Sequence, residues 1–97
     1  MIARIAYFDN VTSEQRAARG VYFREQLLPA LTAQDGYVTG YFLHQVQGER
    51  LQLVSFTIWQ SEEQLRLGEQ RALATAPLPG GMAYPDRVET YEVDYHS

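Results

Sequence analysis

Residues 37–63 read YVTGYFLHQVQGERLQLVSFTIWQSEE, and this stretch decides the fold of the chain. β-Branched and aromatic residues dominate two runs, 37–46 and 50–59, which predict two strands. Gly48 lies in the short segment between them and is able to take the positive φ that a tight hairpin turn requires. The stretch therefore predicts an antiparallel hairpin.

The segments on either side of the hairpin supply two helices and two more strands. The predicted elements are a strand at 2–8, a helix that begins near Thr12 and is kinked by Pro29, the hairpin strands, a helix after Ser61 and a strand at 88–95. Asp9 and Asn10 are expected to end the first strand. This β-α-β-β-α-β order is typical of the α+β, ferredoxin-like fold, with both helices on one face of a four-stranded antiparallel sheet. We expect a single domain over residues 1–97.

Both faces of the predicted hairpin carry large apolar side chains. Phe42 and His44 alternate with Tyr41 and Leu43 along the second strand, and the third strand shows a similar alternation. Which sets share a face depends on whether the turn has two or three residues, because a slip of one residue exchanges the faces. Since helices cover only one face, we expect a second copy to cover the other, forming a homodimer that packs sheet against sheet. The alternative is a monomer with a half-wet sheet face.

Composition excludes several classes of function. The formal charge is −4 and no basic cluster occurs, which argues against a nucleic-acid partner. The chain has no cysteine, so disulfides and thiolate chemistry are excluded. No apolar run approaches the roughly 20 residues of a membrane span, and the N-terminus lacks a signal-peptide pattern, so we expect a cytoplasmic protein without a membrane partner. The two histidines, His44 and His96, have no metal-ligand spacing, and we expect no metal site.

Three motifs carry a resemblance to a known family. They are Leu28-Pro29-Ala30-Leu31, then Asp35-Gly36-Tyr37-Val38-Thr39-Gly40-Tyr41, and then the segment from Leu53 to Glu63 with its Trp59-Gln60-Ser61 start of a helix. Together they resemble the antibiotic-biosynthesis monooxygenase-like family. The resemblance implies a dimeric α+β barrel. It also implies oxygenase activity without a cofactor in some members, haem degradation in others and no known activity in many.

The haem-degrading members of that family use an asparagine, a tryptophan in the second helix and a histidine after it. Asn10 stands near the asparagine position of this pattern. The tryptophan position falls near Gly68, and residues 69–83 contain no histidine. The chain therefore departs from the haem-degrading pattern, and we expect no bound cofactor.

Five residues are the candidates for a functional site. Histidine exchanges a proton near neutral pH, so His44 is the predicted catalytic base for a phenol-like substrate. The predicted substrate-binding residues are Tyr22 and Trp59, which would shape the pocket, Arg24, which would anchor an anionic group, and Phe42. Each has a simpler interpretation: His44 and Arg24 as solvated polar groups, and the aromatic residues as packing.

Two hypotheses follow for the function. The first is a cofactor-independent monooxygenase-like protein that acts on or binds a small aromatic or quinol-type ligand. The second is a non-catalytic, small-ligand-binding or structural dimeric module. An isomerase or lyase on the same fold would need only a base and a pocket, and it stays open at this point.

Overall fold

A computed structural model describes residues 1–96 and contains four strands and two main helical regions. The elements are β1 (Ile2–Val11), α1 (Ser13–Tyr22), a π-helical segment (Phe23–Leu27), α2 (Leu28–Thr32), β2 (Tyr37–Gln47), β3 (Arg50–Trp59), α3 (Glu62–Thr75) and β4 (Arg87–Glu92). The strands form one antiparallel sheet in the order β2-β3-β1-β4. The predicted ferredoxin-like fold is confirmed. None of the helices within residues 1–96 has the length and hydropathy needed to cross a membrane.

The ends of the first and the fourth strands differ from the sequence prediction. Asp9 and Asn10 do not end β1: Asn10 adopts φ 57° in an irregular segment, and Val11 pairs again with Leu51 of β3. Asparagine tolerates this left-handed conformation better than most residues, which explains why the strand continues beyond it. The strand predicted over 88–95 ends earlier, at Glu92. Glu92 pairs with Ile2, the first residue of β1, so the residues after Glu92 have no further β1 residues to pair with in the strand.

Local capping signals explain where the helices begin. The Thr12 side chain accepts a hydrogen bond from the backbone N–H of Gln15, and the Gln15 side chain accepts one from Thr12 N–H, so the predicted capping box is present. Ser61 likewise accepts from the N–H of Gln64 at the start of α3. Pro29 lacks an N–H, and the helix widens into a π turn just before it, where Leu28 N–H donates to the carbonyl of Phe23.

The β2–β3 turn has two residues, which settles the register that the sequence left open. Gln47 pairs with Arg50, and Gly48 between them takes φ 64°. His44 consequently lies opposite Leu53, and Phe42 lies opposite Ser55. Residues that pair directly share a face, so His44, Phe42 and Leu53 are on the same side of the sheet.

Contact with α3 identifies the side of the sheet that the helices cover. Arg4 of β1 forms an ion pair with Glu69 of α3, so the face that carries Arg4 is the covered one, and we call it the inner face. The registers place these strand residues on it: Arg4, Ala6, Phe8, Phe42, His44, Leu53, Ser55, Thr57 and Trp59. The opposite side, the outer face, carries Ile5, Tyr7, Tyr41, Leu43, Val54 and Phe56.

A bulge at Val38 changes the alternation at the start of β2. Tyr37 pairs with Trp59, whereas Thr39 pairs with the preceding residue, Ile58. Tyr37 therefore points to the inner face, where its ring meets Trp59 edge-on with centroids 5.3 Å apart. Its hydroxyl lies 2.6 Å from the place where a Cβ of Gly40 would be, so only glycine fits there.

The core lies at one end of the inner face, around Trp59. Trp59 is 0% exposed, and Leu31, Leu65 and Ala72 belong to the same buried cluster. A Cβ at Gly68 of α3 would collide with the Trp59 ring. The small residue lets α3 approach the sheet closely, which closes this end of the inner face and leaves the His44 end open.

Candidate functional site

An elongated cleft of about 600 Å³ lies between the inner face and the helical layer. α1 and the π-helical segment form one wall, and residues 83–85 of the loop before β4 reach the same space. Apolar side chains make up most of the lining, among them Phe8, Tyr22, Phe23, Leu27, Phe42 and Leu53. A cleft with these aromatic walls suits a flat, largely apolar ligand.

His44 lies in the wall of this cleft, on β2. Its Nδ1 atom is 3.4 Å from Nη2 of Arg16 on α1. Arginine only donates, so this contact fits the tautomer in which Nδ1 accepts and Nε2 carries the proton. His44 is exposed, and water or a ligand reaches it. For Nδ1 to take a proton from a ligand, the Arg16 guanidinium must first move aside or contact the ligand instead.

Tyr22 contributes its ring to the cleft but not a free hydroxyl. The side chain is 4% exposed, and its hydroxyl donates to the carbonyl of Ala76 at 2.6 Å. Burial raises the pKa of Tyr22, and the nearby Arg19 opposes this change. Tyr22 therefore stays a neutral donor that joins α1 to the end of α3.

The other predicted site residues fall into different environments. Phe42 lines the cleft and packs against Phe23. Arg24 also lines it, but its side chain is 70% exposed and lies 3.8 Å from Glu25. Trp59 is buried in the core, where its Nε1 donates to Thr57 Oγ1 at 3.1 Å, and it is not among the residues that line the cleft. The structure thus brings His44, Tyr22, Arg24 and Phe42 together around one space, without Trp59.

An ion pair beside the cleft was not predicted from the sequence. Arg4 and Glu69 line the cleft with side chains that are 22% and 27% exposed. Burial raises the pKa of Glu69, although the charge and the hydrogen bond of Arg4 act in the opposite direction. The only sequence signal was an arginine inside an otherwise apolar strand, and its partner depends on how α3 packs.

Arg19 is a second residue that the sequence analysis missed. Its guanidinium stacks 4.1 Å above the centre of the Phe8 ring and donates to the carbonyl of Ala83 at 2.9 Å. Burial lowers the pKa of Arg19, while Tyr22 and Asp86 favour the cation. Arg19 therefore fixes the loop before β4 against α1 while its charge remains beside the cleft.

Within residues 1–96, no three histidine, aspartate or glutamate side chains come close enough together to hold a metal ion. The haem-degrading pattern also does not fit here. Asn10 is exposed and does not line the cleft, and Gly68 faces Trp59 so closely that a larger residue would have no room. No reaction step through a metal or haem is derived from these residues.

The fold and cleft define a ferredoxin-like protein with an apolar pocket between its sheet and its helices, and solved structures of this class exist. A variant of MhuD with two manganese protoporphyrin IX molecules bound per active site matches with a TM-score of 0.73 and 20% identity, over 100% of this chain and 98% of that one. ActVA-Orf6, a monooxygenase of Streptomyces coelicolor in complex with nanaomycin D, matches at 0.68 and 14%, over 99% and 89%.

A third similar structure is a variant of SnoaB, a cofactor-independent oxygenase from Streptomyces nogalater, with a TM-score of 0.68, 11% identity and coverage of 98% and 94%. No protein-family model matches the sequence, and no match was found among curated proteins. Two further similar structures are described under the name of the antibiotic-biosynthesis monooxygenase family, and they support the resemblance found in the sequence motifs. At these identities the likeness establishes the fold.

Proposed function

We propose that the cleft binds a small planar aromatic ligand and that the protein oxidises a phenol or quinol there with dioxygen, without a cofactor. The observation that carries this proposal is a cleft of about 600 Å³ with aromatic walls and one histidine among its lining residues. Among the similar structures, SnoaB is described as a cofactor-independent oxygenase, and ActVA-Orf6 was solved with the ligand nanaomycin D.

The proposed reaction needs only a base and an apolar space. His44 removes the proton from the substrate hydroxyl, and the resulting phenolate transfers one electron to dioxygen. The two radicals combine by forming a carbon–oxygen bond, and His44 returns the proton to give a hydroperoxide. Loss of water from the hydroperoxide, with the ring hydrogen as its proton, yields a quinone. Phenol and dioxygen are thus converted to quinone and water, with no other reductant.

The test measures oxygen consumption with a panel of hydroquinones and polyphenols. Removal of a general base is expected to lower the rate by about 100-fold or more, so His44→Ala should lose nearly all oxygen uptake. His96→Ala is the matched control, because His96 is exposed and lies beyond β4, away from the cleft. Unchanged uptake in His44→Ala would refute the assigned base. Binding without uptake across the panel would instead favour the non-catalytic, ligand-binding alternative.

We also propose that two copies of the chain associate through the outer face. Tyr41, Leu43 and Tyr91 on this face are 57%, 53% and 51% exposed, and the Tyr41 ring lies 6.2 Å from that of Phe56. A contiguous apolar surface of this kind is typical of an interface. Each 100 Å² of apolar surface removed from water would contribute about 2.5 kcal/mol, so modest overlap of two sheets would hold a dimer together.

A further inference from the structure

The cleft and the rest of the molecule carry opposite charge. The chain has eight basic and twelve acidic side chains, all within the described residues, and its net charge is −4. Four of the eight arginines line the cleft, namely Arg4, Arg16, Arg19 and Arg24, whereas Glu69 is the one acidic residue in the lining. A cationic cleft in an anionic protein attracts a ligand of negative charge.

Two of these arginines lack a carboxylate partner. Arg4 is paired with Glu69, and Arg24 lies beside Glu25. Within residues 1–96, no carboxylate lies within ion-pair distance of Arg16 or Arg19. Asp86, whose charge favours the Arg19 cation, instead accepts a hydrogen bond from the backbone N–H of Asp9 at 2.7 Å.

Arg16 and Arg19 also point to the same part of the cleft. They are three residues apart on α1, a spacing that places side chains next to each other on one side of a helix. Arg16 reaches Nδ1 of His44, and Arg19 stacks on Phe8. His44 of β2 and Phe8 of β1 both pair with Leu53 of β3, so these three residues form one row across the inner face. The two arginines contact the two ends of this row.

The two guanidinium groups have donors left for a ligand. Each guanidinium carries five N–H donors, and the structure gives Arg16 one contact, to His44, and Arg19 one hydrogen bond, to Ala83. Arg19 is partly buried, and this burial disfavours its charge. An anion in contact with it would replace the solvation that the guanidinium has lost.

We propose that Arg16 and Arg19 bind a carboxylate substituent of the ligand, so that the cleft selects aromatic carboxylates over neutral aromatic compounds. This inference rests on the proposed function of the cleft and names its class of ligand. The aromatic walls take the ring, and the arginines take the carboxylate at the His44 end. The first backbone N–H groups of α1 give no separate phosphate site, because the capping box of Thr12 and Gln15 occupies that helix start. The sequence had pointed to Arg24 for this role, but Arg24 is largely exposed.

The test compares two ligands of nearly the same shape by isothermal titration calorimetry. The probes are 1-hydroxy-2-naphthoate and its neutral carboxamide, each measured with the full chain at low and at moderate salt. We expect the carboxylate to bind about tenfold more tightly than the amide, as for hydrogen bonds to a charged group. The preference should shrink as salt increases, because surface-accessible ionic contacts are screened.

Variants assign the preference to the two arginines. Arg16→Gln/Arg19→Gln should bind both probes with affinities within about twofold of each other, because the charged donors are gone. Arg50→Gln/Arg71→Gln is the matched control: it removes the same charge from exposed positions outside the cleft and should keep the preference. If the double variant does not fold, Arg16→Gln alone serves as the test, because it leaves the Arg19–Ala83 hydrogen bond in place. This single variant should lose part of the preference for the carboxylate.

Four outcomes would overturn the inference. Equal affinity of the wild-type protein for carboxylate and amide would remove the anion preference and leave the aromatic cleft intact. A preference that survives in the double variant would place the anion elsewhere. Binding of neither probe would overturn this inference together with the proposed ligand-binding role. Tighter binding of 2-naphthyl phosphate than of the naphthoate would replace the carboxylate by a different anionic class.

Discussion

Both faces of the sheet carry large apolar side chains, but they differ in what covers them. The inner face is covered by the helices of the same chain, tightly around Trp59 and loosely around His44, where the cleft remains. On the outer face, no helix within residues 1–96 covers Tyr41, Leu43 and Phe56. Arginines border the inner cleft, whereas the charged residues on the outer face include Arg87 and Glu89 of the edge strand β4, with the Arg87 guanidinium 4.0 Å above the centre of the Tyr7 ring. An apolar strand pattern therefore predicts that a face is buried, but it does not predict what covers that face.

The strongest test of the inner face is Trp59→Ala. Trp59 is fully buried and packs against Gly68 and Tyr37, so its removal leaves a large cavity in the core. We expect the free energy of unfolding to fall by about 3–5 kcal/mol. Urea unfolding at one fixed protein concentration measures this loss. Trp59→Phe should lose clearly less, and a loss in Trp59→Ala below 1 kcal/mol would contradict the described core.

The matching test of the outer face is Leu43→Glu. A carboxylate at this half-exposed position would be buried without a partner if two sheets pack together, and we expect the dissociation constant of the dimer to rise by about 100-fold or more. Light scattering on a dilution series measures the mass, which should change from twice 11.1 kDa to 11.1 kDa.

A control variant separates the position from the added charge. Gln70→Glu adds the same charge on the exposed side of α3 and should leave the mass at twice 11.1 kDa. A wild-type protein that scatters as an 11.1 kDa particle across the micromolar range would refute the dimer. In that case the outer face would be a half-wet sheet surface.

The smallest expected effect is the pH dependence caused by Glu69. Its folded-state pKa is raised by burial, so the folded protein holds this proton more tightly than the unfolded chain does. Below the usual pKa of glutamic acid, Glu69 is protonated in both the folded and the unfolded state, so no charge is buried on folding. As the pH rises through the usual and then the raised pKa, the unfolded chain ionises first and the folded state loses stability relative to it.

Glu69→Gln should remove this pH dependence, because glutamine resembles the protonated acid. The stability of the wild type relative to Glu69→Gln is therefore expected to fall between acidic and neutral pH, and urea unfolding across that range measures it. The control is Glu63→Gln, at an exposed position in the first turn of α3. A relative stability that rises with pH would mean that attraction by Arg4 outweighs burial.

The sequence was sufficient for features that depend on neighbouring residues. The Thr12 capping box, the Ser61 cap and the strand at 50–59 all follow from local patterns, and the order of the elements determined the fold class. The sequence predicted too early an end for the first strand, because Asp9-Asn10 resembles a turn but forms an irregularity within the strand. Local signals alone do not tell whether a neighbouring strand continues the pairing.

The candidate site was less predictable, because it depends on register and on helix packing. Turns of two and of three residues between the hairpin strands both fit the sequence, yet they place His44 with opposite sets of third-strand residues. Val21 is an apolar residue of α1, but it is 46% exposed and borders the cleft. Arg16 and Arg19 look like ordinary solvated positions, and only the position of α1 against β2 and β3 brings them to the cleft.

The extra residue at Val38 separates two parts of β2 that have different roles. Ahead of it, Tyr37 is locked against Trp59, whereas beyond it Phe42 and His44 face the cleft on the same side of the sheet. Deleting Val38 would make Tyr37 and Thr39 neighbours that pair with the adjacent residues Trp59 and Ile58, so the strand would become regular and both parts would keep their side of the sheet. What the extra residue adds is local bend and twist. Its loss is therefore expected to change the angle between the core part of β2 and the part that forms the cleft wall, and with it the width of the cleft.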